Sequence, residues 1–340
     1  MSFSQRYHRQ TLFAPIGTEG QQKLADSRVL VVGCGALGAA HANLLARAGV
    51  GTLVLVDRDI LEASNLQRQL LYDEAQVRAR LPKAEAAKQR LQEINSSIHL
   101  EAHTLDLTAD SIEALLENVD LVLDATDNFE TRYLLNDACV KHGVPWIYGA
   151  CVSSYGLSLT IRPGVTPCFR CVFEQAPAPG TSPTCDTAGV LGSIVTMVSS
   201  VQVTEAIKLL VGAEEQLRSG LLHMDVWQSR FQQLGMASPR PDCPTCGQHD
   251  FPYLEQSGQS STHLCGRNTV QIRPAPGTTI DLVQLEKQLQ PLGNVLRTPF
   301  LLTLQWEELE LTVFPDGRTL VEGTNDLAVA RSAVSKTIGM

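Results

Sequence analysis

Arg68, Lys83 and Asp127 are the residues around which chemistry can be built in this chain. Two cations can neutralise the oxygens of a triphosphate, and a carboxylate can hold a hard cation such as Mg²⁺ that bridges phosphates. Positive charge gathered in this way stabilises attack on an α-phosphorus and the departure of pyrophosphate. "DRDILEASNLQRQ" surrounds Arg68 with Asp57, Asp59, Asn65 and Gln69, Lys83 follows within "LPKAEAAK", and "LDATDN" sets Asp124 beside Asp127. Each also has a plain reading. Arg68 and Lys83 can be solvated surface charges, and Asp124 can cap a helix near Phe129 or a nearby turn. Their joint placement is what suggests a site.

A phosphate-binding turn stands just upstream. Gly33-x-Gly35-x-x-Gly38 follows an apolar run and opens a helical pattern. The first glycine permits the tight turn, the second lets phosphate approach the backbone, and the third lets helix and strand pack closely. Free N–H groups at the helix start favour an anion. Asp57 ends the next apolar run, where an acceptor for ribose hydroxyls belongs. By itself this unit suits NAD as well as ATP. An NAD(P)-dependent oxidoreductase is therefore a rival reading, but it leaves Arg68, Lys83 and Asp127 without a task.

The chain holds nine cysteines. Cys168 and Cys171 ("CFRC") and Cys243 and Cys246 ("CPTC") form two pairs separated by 71 residues. Two such knuckles can offer four thiolates in tetrahedral geometry, the pattern of a structural zinc with no open position for water. Paired core thiols or a redox pair are the alternative. Cys185 follows the loop "EQAPAPGTSPT" and precedes a helical pattern, a place that lowers a thiol pKa. A covalent role and a dispensable loop residue both remain open for it. Cys34, Cys139 and Cys151 read as packing thiols, and His41 and His142 as structural. Cys265 opens the C-terminal part, where a sulfur relay is conceivable.

The elements that must position these groups alternate. Apolar runs at Val29–Val32, Leu53–Val56, Leu121–Leu123 and Trp146–Tyr148 read as buried parallel strands. Helical patterns lie between them at Ala36–Ala48, Lys83–Ile94, Ser111–Asn118 and Glu130–His142. The expectation is an α/β fold, a doubly wound Rossmann-like sheet with right-handed crossovers. It continues through a strand at "GLSLTIRPG", a long helix at Thr187–Leu210, and strands at Leu221–Val226 and Arg230–Leu234. A Ser-, Gln- and Gly-rich stretch then reads as a linker. The expected domains are residues 1–250, a linker at 251–264, and a small α+β domain at 265–340 with a "PDGR" turn. No apolar run approaches the roughly 20 residues of a membrane span. The N-terminus lacks a signal-peptide pattern, so a cytoplasmic protein is expected. The net charge of −9 argues against a nucleic-acid partner.

"GCGALG", "SNLQRQ", "LPKAEAAK", "DATDNFETR", "CDTAG" and the two cysteine pairs together resemble the ThiF/MoeB/HesA family of adenylyltransferases, relatives of ubiquitin-activating enzymes. The resemblance covers about residues 5–250, in order. It implies ATP, catalytic Mg²⁺ and structural Zn²⁺. It also implies activation of the C-terminal glycine of a small β-grasp sulfur-carrier protein, ending in Gly-Gly, as an acyl-adenylate. Gly33, Gly35 and Gly38 would form the phosphate turn, Asp57 would hold ribose, and Asn65, Arg68 and Lys83 would contact the triphosphate. Asp127 would hold Mg²⁺, and Cys185 matches a cysteine used covalently in some members. Arg9, in "RYHRQ", would reach the neighbouring subunit's site, which implies a homodimer. Sulfur would come from an external persulfide donor such as a cysteine desulfurase. The carrier serves thiamine-thiazole or molybdopterin synthesis. A carrier-binding scaffold without catalysis would be expected to lack Arg68, Lys83 or Asp127.

Overall fold

Uninterrupted Val and Leu runs can be buried only between two layers, and the chain supplies both layers. The computed structural model describes residues 3–178, 184–236, 238–255, 261–263, 268–275 and 277–339. Strands β1 (Arg28–Val32), β2 (Thr52–Val56), β3 (His99–His103), β4 (Leu121–Asp124) and β5 (Trp146–Val152) run parallel in the order β3-β2-β1-β4-β5. β6 (Tyr155–Ile161), β7 (Leu221–Asp225) and β8 (Arg230–Leu234) extend this sheet antiparallel to eight strands. The doubly wound sheet with a mixed continuation is as the sequence predicts.

Alternation along each strand sorts its side chains to two cores. Val29, Val31, Leu53 and Leu55 pack on one face with Leu24, Leu45, Leu91 and Val203. These come from helices α2 (Gly17–Asp26), α3 (Ala36–Ala48), α5 (Lys83–Ile94) and α10 (Gly192–Val211). Leu30, Val32, Val54 and Val56 point the other way, with Ile112, Leu135 and Ala138 from α6 (Ala109–Leu115) and α7 (Phe129–His142). α1 (Phe3–Thr11) docks by Gln10, whose amide donates to Ala48 O at 2.9 Å. The short helices are α4 (Glu74–Arg78), α8 (Phe169–Val172), α9 (Cys185–Ala188) and α11 (Pro252–Glu255).

Three elements differ from expectation. β3 carries His99, Glu101 and His103 alternately, so it lacks the apolar run that marks a buried strand. It is a sheet edge, where charged side chains meet water. α2 is a Gly- and Gln-rich segment without apolar periodicity, held to the core by Leu24. The single helix expected at Thr187–Leu210 is two, because Gly189 adopts φ +70° and Val190 bridges Ser153 before α10 begins. By length and hydropathy alone, α10 could cross a membrane, contrary to the reading that no such run exists. In this fold it is a core helix that buries Ser199, Gln202 and Glu205 among its apolar residues.

The chain divides into two units, Met1–Ser257 and Gly258–Met340. In the second, β9 (Ser261–His263), β10 (Thr269–Ile272), β11 (Asn294–Arg297), β12 (Leu302–Trp306), β13 (Leu309–Val313) and β14 (Thr319–Glu322) form an antiparallel sheet in the order β11-β12-β13-β14-β10-β9. α12 (Leu282–Leu289) and α13 (Leu327–Thr337) bury Leu285, Leu289, Ala330 and Val334 against Leu302, Leu304, Leu311 and Val321. This is the small α+β appendix that was expected. Cys265 lies outside the described residues.

Candidate nucleotide crevice and cysteine clamp

The strand order reverses between β1 and β4, and an open α/β sheet collects its ligands in the crevice at such a point. Gly33 and Gly35 leave β1 here, and Ala125–Asp127 leave β4. The close approach demands glycine. A Cβ on Gly33, which adopts φ +90°, would lie 2.7 Å from Ala125 O, and one on Gly38 would strike Gly33 O. Asp57 ties down the turn: its Oδ2 accepts the Cys34 N–H at 2.6 Å and its Oδ1 accepts the Asp59 N–H at 2.7 Å. Burial pushes the Asp57 carboxyl up from its ordinary value, against the opposing pull of Lys83.

Lys83 is not a solvated charge. Its side chain is 6% exposed, and Nζ lies 2.9 Å from Asp59 Oδ2. The Lys83 N–H also bonds Asp59 O at 2.9 Å. Tyr72 completes the frame, its hydroxyl donating to Cys34 O at 2.6 Å and reaching Lys83 O at 3.2 Å. The fold thus joins the glycine turn, Asp57, Asp59 and Lys83 in one bonded group. Asp59 and Tyr72 are its unforeseen members: the sequence marks Asp59 only as a polar neighbour, and Tyr72 belongs to no motif.

Asn65 is buried, and its Oδ1 accepts the Glu62 N–H at 3.2 Å. It closes the turn that carries Arg68, whose Nη1 donates to Ser64 O at 2.9 Å. Gln69, also buried, packs beside Gly35, and its Oε1 has no hydrogen-bond partner among the described residues. Asp127 stands exposed after β4. The loop before it is clamped by Asp124, which accepts from the Thr126 N–H at 2.9 Å and the Thr126 hydroxyl at 2.6 Å. Buried Arg132 lies 3.3 Å from Asp124 and donates to Thr126 O at 2.6 Å. Asp124 therefore holds a turn and an ion pair, while Asn128 caps α7 by accepting the Thr131 N–H at 2.8 Å. Arg132 sits in a quoted motif, "DATDNFETR", yet only its burial reveals its part.

Behind the crevice, Gln202 of α10 donates to Asp124 O and to Ile147 O, each at 3.1 Å. His41 Nε2 lies 2.9 Å from Gln202 Oε1, and burial pulls its pKa down to about 4. The ring is neutral and structural, as expected. Cys185 does reach the crevice end of the sheet, its thiol 3.5 Å from Cys151 O. Cys151 is half-buried there and packs against the core cluster of Leu37, Ile194 and Val198, as a packing thiol should. Arg9 is the residue the fold does not bring in. It is exposed on α1, which docks at the C-terminal end of α3. The 13 residues of α3 separate that end from the glycine turn by about 20 Å.

The four knuckle cysteines meet. Cys168 Sγ lies 3.8 Å from Cys171 Sγ and 3.6 Å from Cys243 Sγ, and Cys171 Sγ lies 3.4 Å from Cys246 Sγ. All four sulfurs fall within 4.8 Å of one another. A tetrahedron with Zn–S bonds of about 2.3 Å has edges of about 3.8 Å, so the donor set fits zinc. Two adjacent residues of α7 hold the knuckles. Asn136 accepts the Phe169 N–H at 2.8 Å, and Asp137 accepts the Thr245 hydroxyl at 2.8 Å and the Tyr253 N–H at 3.1 Å. Phe169 packs among Tyr133, Trp146, Tyr148 and Phe173.

A glycine turn at the switch point of a doubly wound sheet, with a four-cysteine clamp beside it, defines the class of α/β protein. The chain belongs to the ThiF family, whose model matches residues 7–245. It is 46% identical over 337 residues to the sulfur carrier protein ThiS adenylyltransferase of Bacillus subtilis (strain 168), covering 98% of this chain and 99% of that protein. It is 41% identical to the SAMP-activating enzyme E1 of Haloferax volcanii, covering 74% and 93%. Escherichia coli MccB, solved with ATP, shares the fold with a TM-score of 0.61 at 23% identity, over 71% of this chain and 73% of that one.

Proposed function

We propose that this chain is an ATP-dependent adenylyltransferase that activates the C-terminal glycine of a small ubiquitin-like sulfur-carrier protein as an acyl-adenylate. The observation that carries the reading is the bonded group of glycine turn, Asp57, Asp59 and Lys83, facing the Asp127 loop across one crevice. The end-to-end likeness to a ThiS adenylyltransferase supports it and favours the thiazole carrier over the molybdopterin one.

The carrier's carboxylate is already ionised near neutral pH, so the protein needs no general base. Its work is positioning and charge. The turn from Gly33 to Gly38 would receive the phosphates and Asp57 the ribose. Lys83 would exchange part of its pairing with Asp59 for phosphate oxygens, joined by Asn65 and Arg68. Mg²⁺, held by Asp127, would supply the remaining charge that offsets the departing pyrophosphate. Zinc at the four cysteines would tie the two knuckle segments to each other and take no part in the reaction.

A homodimer belongs to the same reading. Arg9 is too far from its own crevice and would serve that of a second copy. Sulfur would arrive from an external persulfide donor in the cytoplasm, with Cys185 at the crevice edge as the thiol available for covalent transfer. Adenylation would be the task of the first unit, Met1–Ser257, and the second, Gly258–Met340, would be an appended domain. ATP–pyrophosphate exchange with each carrier in turn, and with Asp127→Ala as control, tests the reading. Exchange that needs one carrier and disappears in the variant supports adenylation and names the pathway. Absence of exchange with either carrier points instead to a peptide substrate or a binding-only role.

A further inference from the structure

Resting on that adenylation reading, we infer that Arg58 is the residue against which the nucleotide base stacks. The strand order supplies the direction. Phosphates belong at the end of β1 and ribose at Asp57, at the end of β2. Neighbouring strands lie about 4.8 Å apart, so a base extending beyond the ribose runs toward the end of β3. The two strand ends are level, since the Asp57 N–H bonds His103 O at 3.1 Å.

Arg58 and Asp106 face each other at that place. Arg58 Nη1 lies 3.3 Å from Asp106 Oδ1, and Nε lies 3.9 Å from Asp59 Oδ1. The Asp106 contact is a hydrogen bond and lies in the guanidinium plane, while the Asp59 contact is an ion pair; bonding of this kind anchors the group through its edge and makes no use of its flat faces. The side chain is 29% exposed, enough to offer one face to a ligand. Although burial opposes it, the carboxylates of Asp106, Asp59, Asp127 and Asp57 keep the group charged. A fixed planar cation beside the ribose acid suits the π-face of a purine. Asp106 is then a positioning residue that holds the plane.

The test compares two ligands that differ by the base. Calorimetric titration of the full-length protein with ATP and with inorganic tripolyphosphate is made for wild type, Arg58→Ala, Arg58→Lys and Arg58→Phe. Arg58→Ala is expected to weaken ATP about tenfold and leave tripolyphosphate unchanged. Arg58→Phe keeps a flat face and should recover to within about threefold of wild type, while Arg58→Lys keeps the charge without the plane and should not. Equal losses for ATP and tripolyphosphate would make Arg58 a phosphate contact and overturn the assignment, as would equal ATP affinities of Arg58→Lys and Arg58→Phe. If Arg58→Ala fails to fold, the Lys and Phe variants decide by themselves. A wild-type protein that binds no ATP would sink the adenylation reading along with this one, whereas unchanged ATP binding in all three variants would sink this one alone.

Discussion

The nucleotide crevice and the cysteine clamp are both built from groups that would be costly alone, and they solve the problem in opposite ways. In the clamp the four sulfurs face one another, and α7 braces the segments that carry them: Asn136 accepts the Phe169 N–H and Asp137 the Thr245 hydroxyl. Nothing is left over for a substrate, which is what a structural site requires. In the crevice the charges hold one another provisionally. Lys83 leans on Asp59, Arg58 on Asp106, and Asp127 stands exposed.

That contrast can be broken most decisively at Asp127. Replacing it with Ala should lower carrier-dependent pyrophosphate exchange about a thousandfold while leaving the thermal midpoint unchanged. Cys168→Ser should do the reverse in kind: metal analysis should find the zinc lost and the midpoint lowered by more than about 10 °C. A midpoint that does not move would show that the clamp is not structural. Arg132 tests where the two regimes meet, because it is buried yet holds the Asp127 loop. Arg132→Leu strands the Asp124 carboxylate, whose burial already pushes its pKa up. The cost in urea unfolding should be about 3–5 kcal/mol, and the Mg²⁺ concentration for half-maximal exchange should rise.

His41 sharpens the comparison through pH. Its pKa is about 4 when folded, against 6.5 when exposed, so the unfolded chain binds the extra proton between these values. Stability is full above about pH 6.5 and falls as pH drops toward 4, by about 3 kcal/mol at most. Urea titrations at pH 7 and pH 5 should show that slope in wild type and lose it in His41→Gln. The smallest effect is expected at Asn128, where loss of the α7 cap in Asn128→Ala should cost about 1 kcal/mol.

Regions whose function is local were the legible ones. The glycine turn, Asp57 and the knuckle spacings are set by residues a few positions apart, and β1, β2 and β4 announce themselves as apolar runs. β3 was hidden because an edge strand has no need of such a run, and the break at Gly189 because a continuous apolar pattern does not record a turn. The sequence by itself determined the doubly wound sheet, the phosphate turn and the four-cysteine donor set, because strand burial and ligand spacing are written in short periods. Only the tertiary structure decided that Lys83 pairs with Asp59, that Arg132 and Gln202 brace the Asp127 loop, and that Arg9 stands apart from its own crevice. Those facts join segments distant along the chain, and pairings of that kind are settled by packing.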